Sequence, residues 1–219
     1  IGIFPAHHED RELITLKDVP PALVAALIAV EDRAYFDHFG LSIRCILRAM
    51  KANIAAGRTV QGGSTLTQQL VKNFFLTNER SLRRKLKEAF MALLLELHYS
   101  KEDILQAYLN EVYLGQAGRR SIHGIALASR FYFAKNVQQL NLSEIALLVG
   151  MIKGPSYYNP FRKAERARTR RDTVLNVMEE LNIISAAQRI NAQGQPIRVA
   201  KSGRAGQREY PAFIQLVKR

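Results

Sequence analysis

Glu31 follows nine apolar residues, Ala22 to Val30, and a carboxyl group at the end of such a run is the first candidate for chemistry. Burial disfavours the charged carboxylate, raises its pKa and prepares it for proton transfer. Asp32 beside it can order the site by accepting hydrogen bonds. An ordinary helix-end pair fits the same spacing. Glu88 is the second candidate. It lies in Arg83-Arg84-Lys85-Leu86-Lys87-Glu88, with Arg84 four and Lys85 three residues before it, so the three share one helical face. That face is either a common i,i+4 ion pair or an acid among cations that hold a phosphate. The third candidate is Gly62-Gly63-Ser64-Thr65-Leu66-Thr67-Gln68-Gln69-Leu70-Val71-Lys72. A Gly-Gly turn entering a helix exposes backbone N–H groups at a positive dipole end, which suits an anion. A capped helix start explains it equally well. No Gly-Lys-Ser/Thr follows, so this is no Walker loop.

The elements that must hold these residues read as helices. Pro20 and Pro21 open one that runs into Glu31. Ser42 caps a second, with Ile43, Ile46, Leu47, Met50 and Ile54 on one face and Gly57 at its end. The Gly-Gly turn leads into a third. Ser81 caps a fourth, striped by Leu82, Leu86, Phe90, Leu93 and Leu97. Ser100 and Asp103 form a capping box for a fifth. The pattern predicts further helices over Ile122 to Phe133, from a Ser143 cap over Glu144 to Ile152, and over Arg166 to Leu181. Glu12 to Leu16 alternates weakly, as a short strand would. The expected organisation is one mainly α-helical domain over residues 1–190, regular from about residue 18, then a linker over 191–219.

Composition narrows the classes. The chain has 219 residues and a single cysteine, Cys45, which leaves no internal disulfide and no cysteine-based zinc site. The five histidines show no metal-ligand spacing. The longest apolar runs, Ala22 to Val30 and Ile145 to Ile152, fall short of the ~20 residues of a bilayer span. A start at Ile1 reads as a fragment whose anchor or signal has been cut away. The net charge is +13, with 14 basic and 12 acidic residues in 1–110 and 18 against 7 in 111–219. Such a surface seeks polyanions. Its densest stretch, Arg162 to Arg171, is also what a solvated helix face looks like.

Five segments together resemble the peptidoglycan glycosyltransferases, glycosyltransferase family 51. Glu31-Asp32-Arg33-Ala34-Tyr35-Phe36-Asp37-His38-Phe39-Gly40 is similar to the first family motif, with Tyr35 where Phe is usual. Gly62 to Gln69 matches the second, Arg84-Lys85-Leu86-Lys87-Glu88 the third, and Lys101 to Asn110 the fourth. His123-Gly124 to Tyr132-Phe133 corresponds to the fifth. The flanking sequence looks closest to the bifunctional class A penicillin-binding proteins of Gram-negative bacteria. Their transpeptidase signatures, Ser-x-x-Lys and Lys-Thr-Gly, are absent here, and Pro211-Ala212-Phe213 resembles the lead-in to that second domain.

The resemblance implies a lysozyme-like helical fold in two lobes with a cleft. It implies polymerisation of lipid II into glycan strands, by inverting transfer onto a 4-hydroxyl with release of polyprenyl diphosphate. Glu31 is then the general base and Glu88 a second catalytic carboxylate that orients cations. Asp32, Ser64, Thr65, Gln69, Lys72, Arg84 and Lys85 are the implied substrate-binding residues, and Asn73, Lys153 and Ser156 join them by neighbourhood. Glu88 could help hold a magnesium ion on the diphosphate. The implied setting is the periplasmic face of the cytoplasmic membrane, with the growing strand, the membrane surface and other cell-wall synthesis proteins as partners and no nucleic acid. Core packing is the default for the apolar side chains of Ile43 to Phe75, though some could dip into the outer leaflet. Two rivals are a lysozyme-like hydrolase, to which the cations at Lys72, Arg84 and Lys85 are useless, and a basic nucleic-acid-binding module, for which no recognition signature stands out.

Overall fold

The computed structural model describes residues 12–58, 62–75, 81–118 and 120–200. Contacts divide the chain into two compact units, Ile14–Val112 and, with the first 13 residues, Tyr113–Arg219. Helix dominates both.

In the first unit, α1 spans Pro21–Glu31, α2 Ile43–Ala56, α3 Leu66–Phe75, α4 Leu82–His98 and α5 Lys101–Glu111. Their starts follow the expected chemistry. Pro21 stands at the first helical position of α1, where its missing N–H costs nothing. Ser42 and Ser81 accept the amides of Cys45 and Arg84 to cap α2 and α4. Ser100 and Asp103 make the reciprocal box of α5. Gly57 ends α2 with φ +61°, a left-handed turn that glycine enters without strain. The core is built from Leu23 and Leu27 of α1, Leu66, Leu70 and Val71 of α3, and Ile104, Leu105, Tyr108 and Leu109 of α5.

Two helices depart from the core-packing expectation. Of the α2 residues only Ala49 is buried, and its apolar stripe is open, with Ile54 74% exposed. On α4, Leu82, Leu86, Phe90 and Leu97 are likewise exposed, Leu82 at 86%. Phe74 and Phe75 are exposed at the end of α3; Leu76 lies outside the described residues. Amphipathic periodicity is present on both helices, but nothing in this chain's described residues covers it.

Residues 12–15 form no strand. They run extended into a single 3-10 turn, Leu16–Asp18, and side chains of α5 hold them. Asn110 Oδ1 accepts the Ile14 N–H at 2.9 Å while its Nδ2 donates to the Ile14 carbonyl at 2.9 Å. Gln106 Oε1 accepts the Leu16 N–H at 2.8 Å. The amide side chains offer the donor and acceptor that a neighbouring strand would have offered.

The second unit opens with a hairpin that the periodicity does not announce. β1, Tyr113–Ala117, pairs antiparallel with β2, Arg120–His123, with a register shift between Tyr113 and Gly115. The expected helix over Ile122 to Phe133 therefore begins later, as α6, Ile125–Phe133. Gly115 is obligatory there. Its φ is +143°, and a Cβ would lie 2.4 Å from the Tyr132 hydroxyl, which donates to the Leu114 carbonyl at 2.9 Å. Helix α7, Leu142–Ile152, is capped by Asn141 with Glu144 in reciprocal partnership, one residue pair earlier than the expected Ser143 cap. Ser143 instead meets Arg171 of α8, Ala164–Glu180. A further helix, α9, Ala186–Gly194, carries a Ser185/Gln188 box and runs through residue 190.

Arg171 is fully buried. Its guanidinium donates to Ser143 Oγ at 3.1 Å, to the Gln195 carbonyl at 2.6 Å and to the Gln193 carbonyl at 2.8 Å, and it pairs with Asp172 at 2.8 Å. The fork of donors ties α7, α8 and the segment leaving α9 together. Residues 195–200 are anchored as well, through the Ala200 N–H on the Tyr132 carbonyl at 2.8 Å. Pro211 to Phe213 lie outside the described residues.

Candidate active site

Ten of the twelve predicted site residues fall in the first unit, in three segments distant in sequence. Glu31 closes α1 and is half-buried. Its Oε2 accepts from Gln69 Nε2 of α3 at 3.1 Å. Gln69 Oε1 in turn accepts from the Tyr108 hydroxyl of α5 at 3.0 Å. Burial pushes the Tyr108 phenol well above its ordinary pKa, and the negative charge of Glu31 adds to the shift. The phenol therefore stays a donor. Tyr108 lies in the segment similar to the fourth motif, Lys101 to Asn110, and its hydroxyl left no periodic signal.

Asp32 is buried, and its Oδ2 accepts the Leu66 N–H at 3.0 Å and meets His38 Nε2 at 2.9 Å. A carboxylate at the first amide of α3 is favoured by the helix dipole. Thr65, 1% exposed, donates from Oγ1 to the Gly40 carbonyl at 2.7 Å and accepts the Gln68 N–H at 3.2 Å. Gln68 Oε1 accepts the Thr65 N–H at 3.1 Å. The Asp32 and Thr65 side chains are both buried and engaged in building the turn. The same contacts correct the reading of this helix start as an open anion site. The amides of Thr65, Leu66 and Gln68 are already engaged, one of them by a carboxylate.

The turn itself is pressed against α2. A Cβ on Gly63 would lie 3.0 Å from the Ile46 Cα and 3.1 Å from the Cys45 carbonyl oxygen. Gly40, with φ +70°, approaches α4 as closely, since a Cβ there would lie 2.9 Å from the Ala92 carbonyl. These two glycines let the first and second motifs pack onto the helices that frame them.

Ser64 presents its Oγ to Lys85 Nζ of α4 at 2.7 Å, and the same ammonium is paired with Glu88, whose carboxylate is 2% exposed as a residue. The i,i+3 spacing read from sequence is thus a real ion pair, and it reaches across to the Gly-Gly turn. Arg84 is half-buried on the same helix, while Lys72 and Asn73 are exposed in the last turns of α3. Lys153 and Ser156, the other two predicted residues, belong to the second unit, where they follow α7 and are exposed.

Tyr35 replaces the family's usual Phe without leaving a buried hydroxyl unpaired. Its O–H donates to the Lys101 carbonyl at 2.7 Å, and the Lys101 ammonium lies 4.6 Å from the ring centroid. Burial, with the nearby charges of Glu96, Asp32 and Glu102, pushes its pKa up. Lys101 also pairs with Glu96, which accepts from Thr67 of α3 at 2.6 Å.

Glu88, the carboxylate expected to help hold a divalent cation, is already paired with Lys85. Among the described residues no three His, Cys, Asp or Glu side chains converge. The described residues do not by themselves form a metal site.

Comparison with known proteins decides the family. The transglycosylase family matches residues 1–179. The chain belongs to it. Penicillin-binding protein 1B of Vibrio cholerae is 54% identical over 95% of this transglycosylase chain and 27% of its own length. Penicillin-binding proteins 1B of Haemophilus influenzae and Escherichia coli are 50% and 48% identical, over 98% and 96% of the chain and 27% and 25% of their own. The chain therefore spans about a quarter of the length of the relatives it matches. The crystal structure of penicillin-binding protein 1A from Haemophilus influenzae shares the fold, with a TM-score of 0.52 and 24% identity over 89% of this chain and 19% of that one.

Proposed function

We propose that this transglycosylase chain is a peptidoglycan glycosyltransferase that polymerises lipid II on the outer face of the cytoplasmic membrane. One observation carries the reading: Glu31 is held by a side-chain amide at the end of α1, in the same unit as a lysine, a serine and a buried glutamate on the Gly-Gly turn and α4. That is a base together with an anion-stabilising group.

The chemistry follows from single displacement with inversion. Glu31 takes the proton of the acceptor's 4-hydroxyl as that oxygen attacks the donor's anomeric carbon. The bond from that carbon to the diphosphate oxygen breaks, and its electron pair leaves with polyprenyl diphosphate. Such a leaving group needs electrostatic stabilisation more than a proton. Lys85, with Ser64 beside it, supplies that charge, joined by Lys72 and Arg84. Glu88 orients the Lys85 ammonium. Gln69 and Asn73 bind the substrate, and Asp32 and Thr65 shape the turn. A magnesium ion on the diphosphate would supply further charge neutralisation, with Glu88 as a protein carboxylate for it; no step above depends on it.

The exposed stripes of α2 and α4 support a membrane-surface setting, since a lipid-linked substrate is delivered from a bilayer. The deciding experiment supplies lipid II to the wild-type chain and to Glu31→Gln. Polymer and free polyprenyl diphosphate are expected from the former alone, with substrate binding retained in the latter. Normal turnover in Glu31→Gln would sink the base assignment. A parallel assay with a chelator tests the metal.

A further inference from the structure

We propose that Tyr108 is a positioning residue for this reaction: through the Gln69 side chain, its hydroxyl fixes the orientation of the Glu31 carboxylate. The inference rests on the reading of Glu31 as the base and adds a residue that acts on it from two side chains away.

The argument is one of polarity. A carboxamide has a donor end and an acceptor end, and its terminal torsion is broad enough to exchange them. Tyr108 O–H faces Oε1 at 3.0 Å, which commits Nε2 to Glu31 Oε2 at 3.1 Å. An N–H aimed at a carboxylate favours the ionised, proton-accepting form and holds its plane. Reversed, the amide would turn a carbonyl oxygen on the base and repel it. The carboxylate favours this orientation from one end of the amide, and the tyrosine donor locks it from the other. The selecting donor must stay protonated and must not move. Tyr108 is fully buried in α5 among the core of the first unit, so both conditions hold. The three groups stand on three different helices, α1, α3 and α5, so the relay also registers α1 against the other two.

The test compares initial rates of lipid II polymerisation for Tyr108→Phe, Gln69→Leu, the double variant and Glu31→Gln, well below each melting temperature. Phe fills the same space, so Tyr108→Phe is expected to lower kcat roughly tenfold with KM within about twofold. In the Gln69→Leu background the same substitution is expected to cost nothing further. Wild-type kcat in Tyr108→Phe, or losses that simply multiply, would overturn the relay. Turnover by Glu31→Gln would instead overturn the base reading, whatever the tyrosine variants do. A measurement on the wild type stands should the Phe variant not fold. A held amide should slow solvent exchange of the Gln69 Nε2 protons well below that of an exposed glutamine, and exchange at the free rate would refute the proposal.

Discussion

Asp32 caps a helix that starts 34 residues later: its Oδ2 accepts the Leu66 N–H at 3.0 Å. The residue next to the proposed base thereby sets the position of α3, which carries Gln69 and Lys72. Asp32→Ala should cost about 1–2 kcal/mol by removing the cap and its dipole interaction. Asp32→Asn, which keeps an acceptor, should cost less. Urea unfolding of the two variants checks the order, and equal losses would mean that the charge, not the acceptor, does the anchoring.

Lys85 bridges Ser64 and the buried Glu88. Lys85→Ala should therefore raise KM for lipid II and also lower stability, because it leaves a buried carboxylate without its cation. The stability loss should be about 1–3 kcal/mol. The double change Lys85→Ala with Glu88→Ala should recover part of it without recovering substrate affinity. Titration of a polyprenyl diphosphate against each variant separates the two effects. A change confined to acceptor kinetics would move this cluster away from the leaving group.

Tyr35→Phe restores the family's usual residue and removes one buried hydrogen bond, to the Lys101 carbonyl. About 1 kcal/mol should be lost in denaturant unfolding, with kcat for lipid II unchanged. The Lys101 ammonium keeps its place over the ring in that variant, since Phe offers the same π face.

Ile43, Ile54, Leu82 and Leu86 are already in solvent. Replacing them with Ser should change stability by less than about 0.5 kcal/mol each, as for ordinary surface positions. Co-sedimentation with phospholipid vesicles should fall progressively as the four are replaced. Vesicle binding that ignored all four would separate these stripes from membrane contact.

Arg171→Met removes the buried guanidinium and the donors that hold the Gln193 and Gln195 carbonyls. Exchange of the amides in 192–200 should rise markedly, and the loss of global stability should reach about 3 kcal/mol. Protection of α3 and α5 should be unchanged, since those helices belong to the other compact unit.

Where the sequence was legible, the reason was local. Ser42, Ser81 and Ser100 cap the helices that follow because capping needs only a hydroxyl and an amide two or three residues away. Glu31 meets Gln69, and Lys85 meets Ser64 and Glu88. The misses came from contacts between distant residues. Gly115 and Gly118 break the run between α5 and α6 into a hairpin, yet the need for Gly115 comes from Tyr132, 17 positions on. The α2 and α4 stripes have the periodicity of core helices, and periodicity says nothing of what will cover a face. Asp32 accepts a hydrogen bond, as its place beside Glu31 suggested, but only the fold shows that the donor is the Leu66 amide. Asn141 took the cap expected of Ser143, and the hydroxyl so released serves Arg171.

Asn110 holds Ile14 by its peptide groups, and Gln106 holds Leu16 the same way. Such a grip is blind to side chains. Positions 14 and 16 can therefore drift through most of the amino-acid alphabet without moving the chain, while proline at either one removes the gripped N–H. Asn110 has no such freedom, since aspartate lacks the donor and longer amides shift the reach. Tolerance of substitution at this entry segment and intolerance at the α5 residue that reads it are two sides of one interaction.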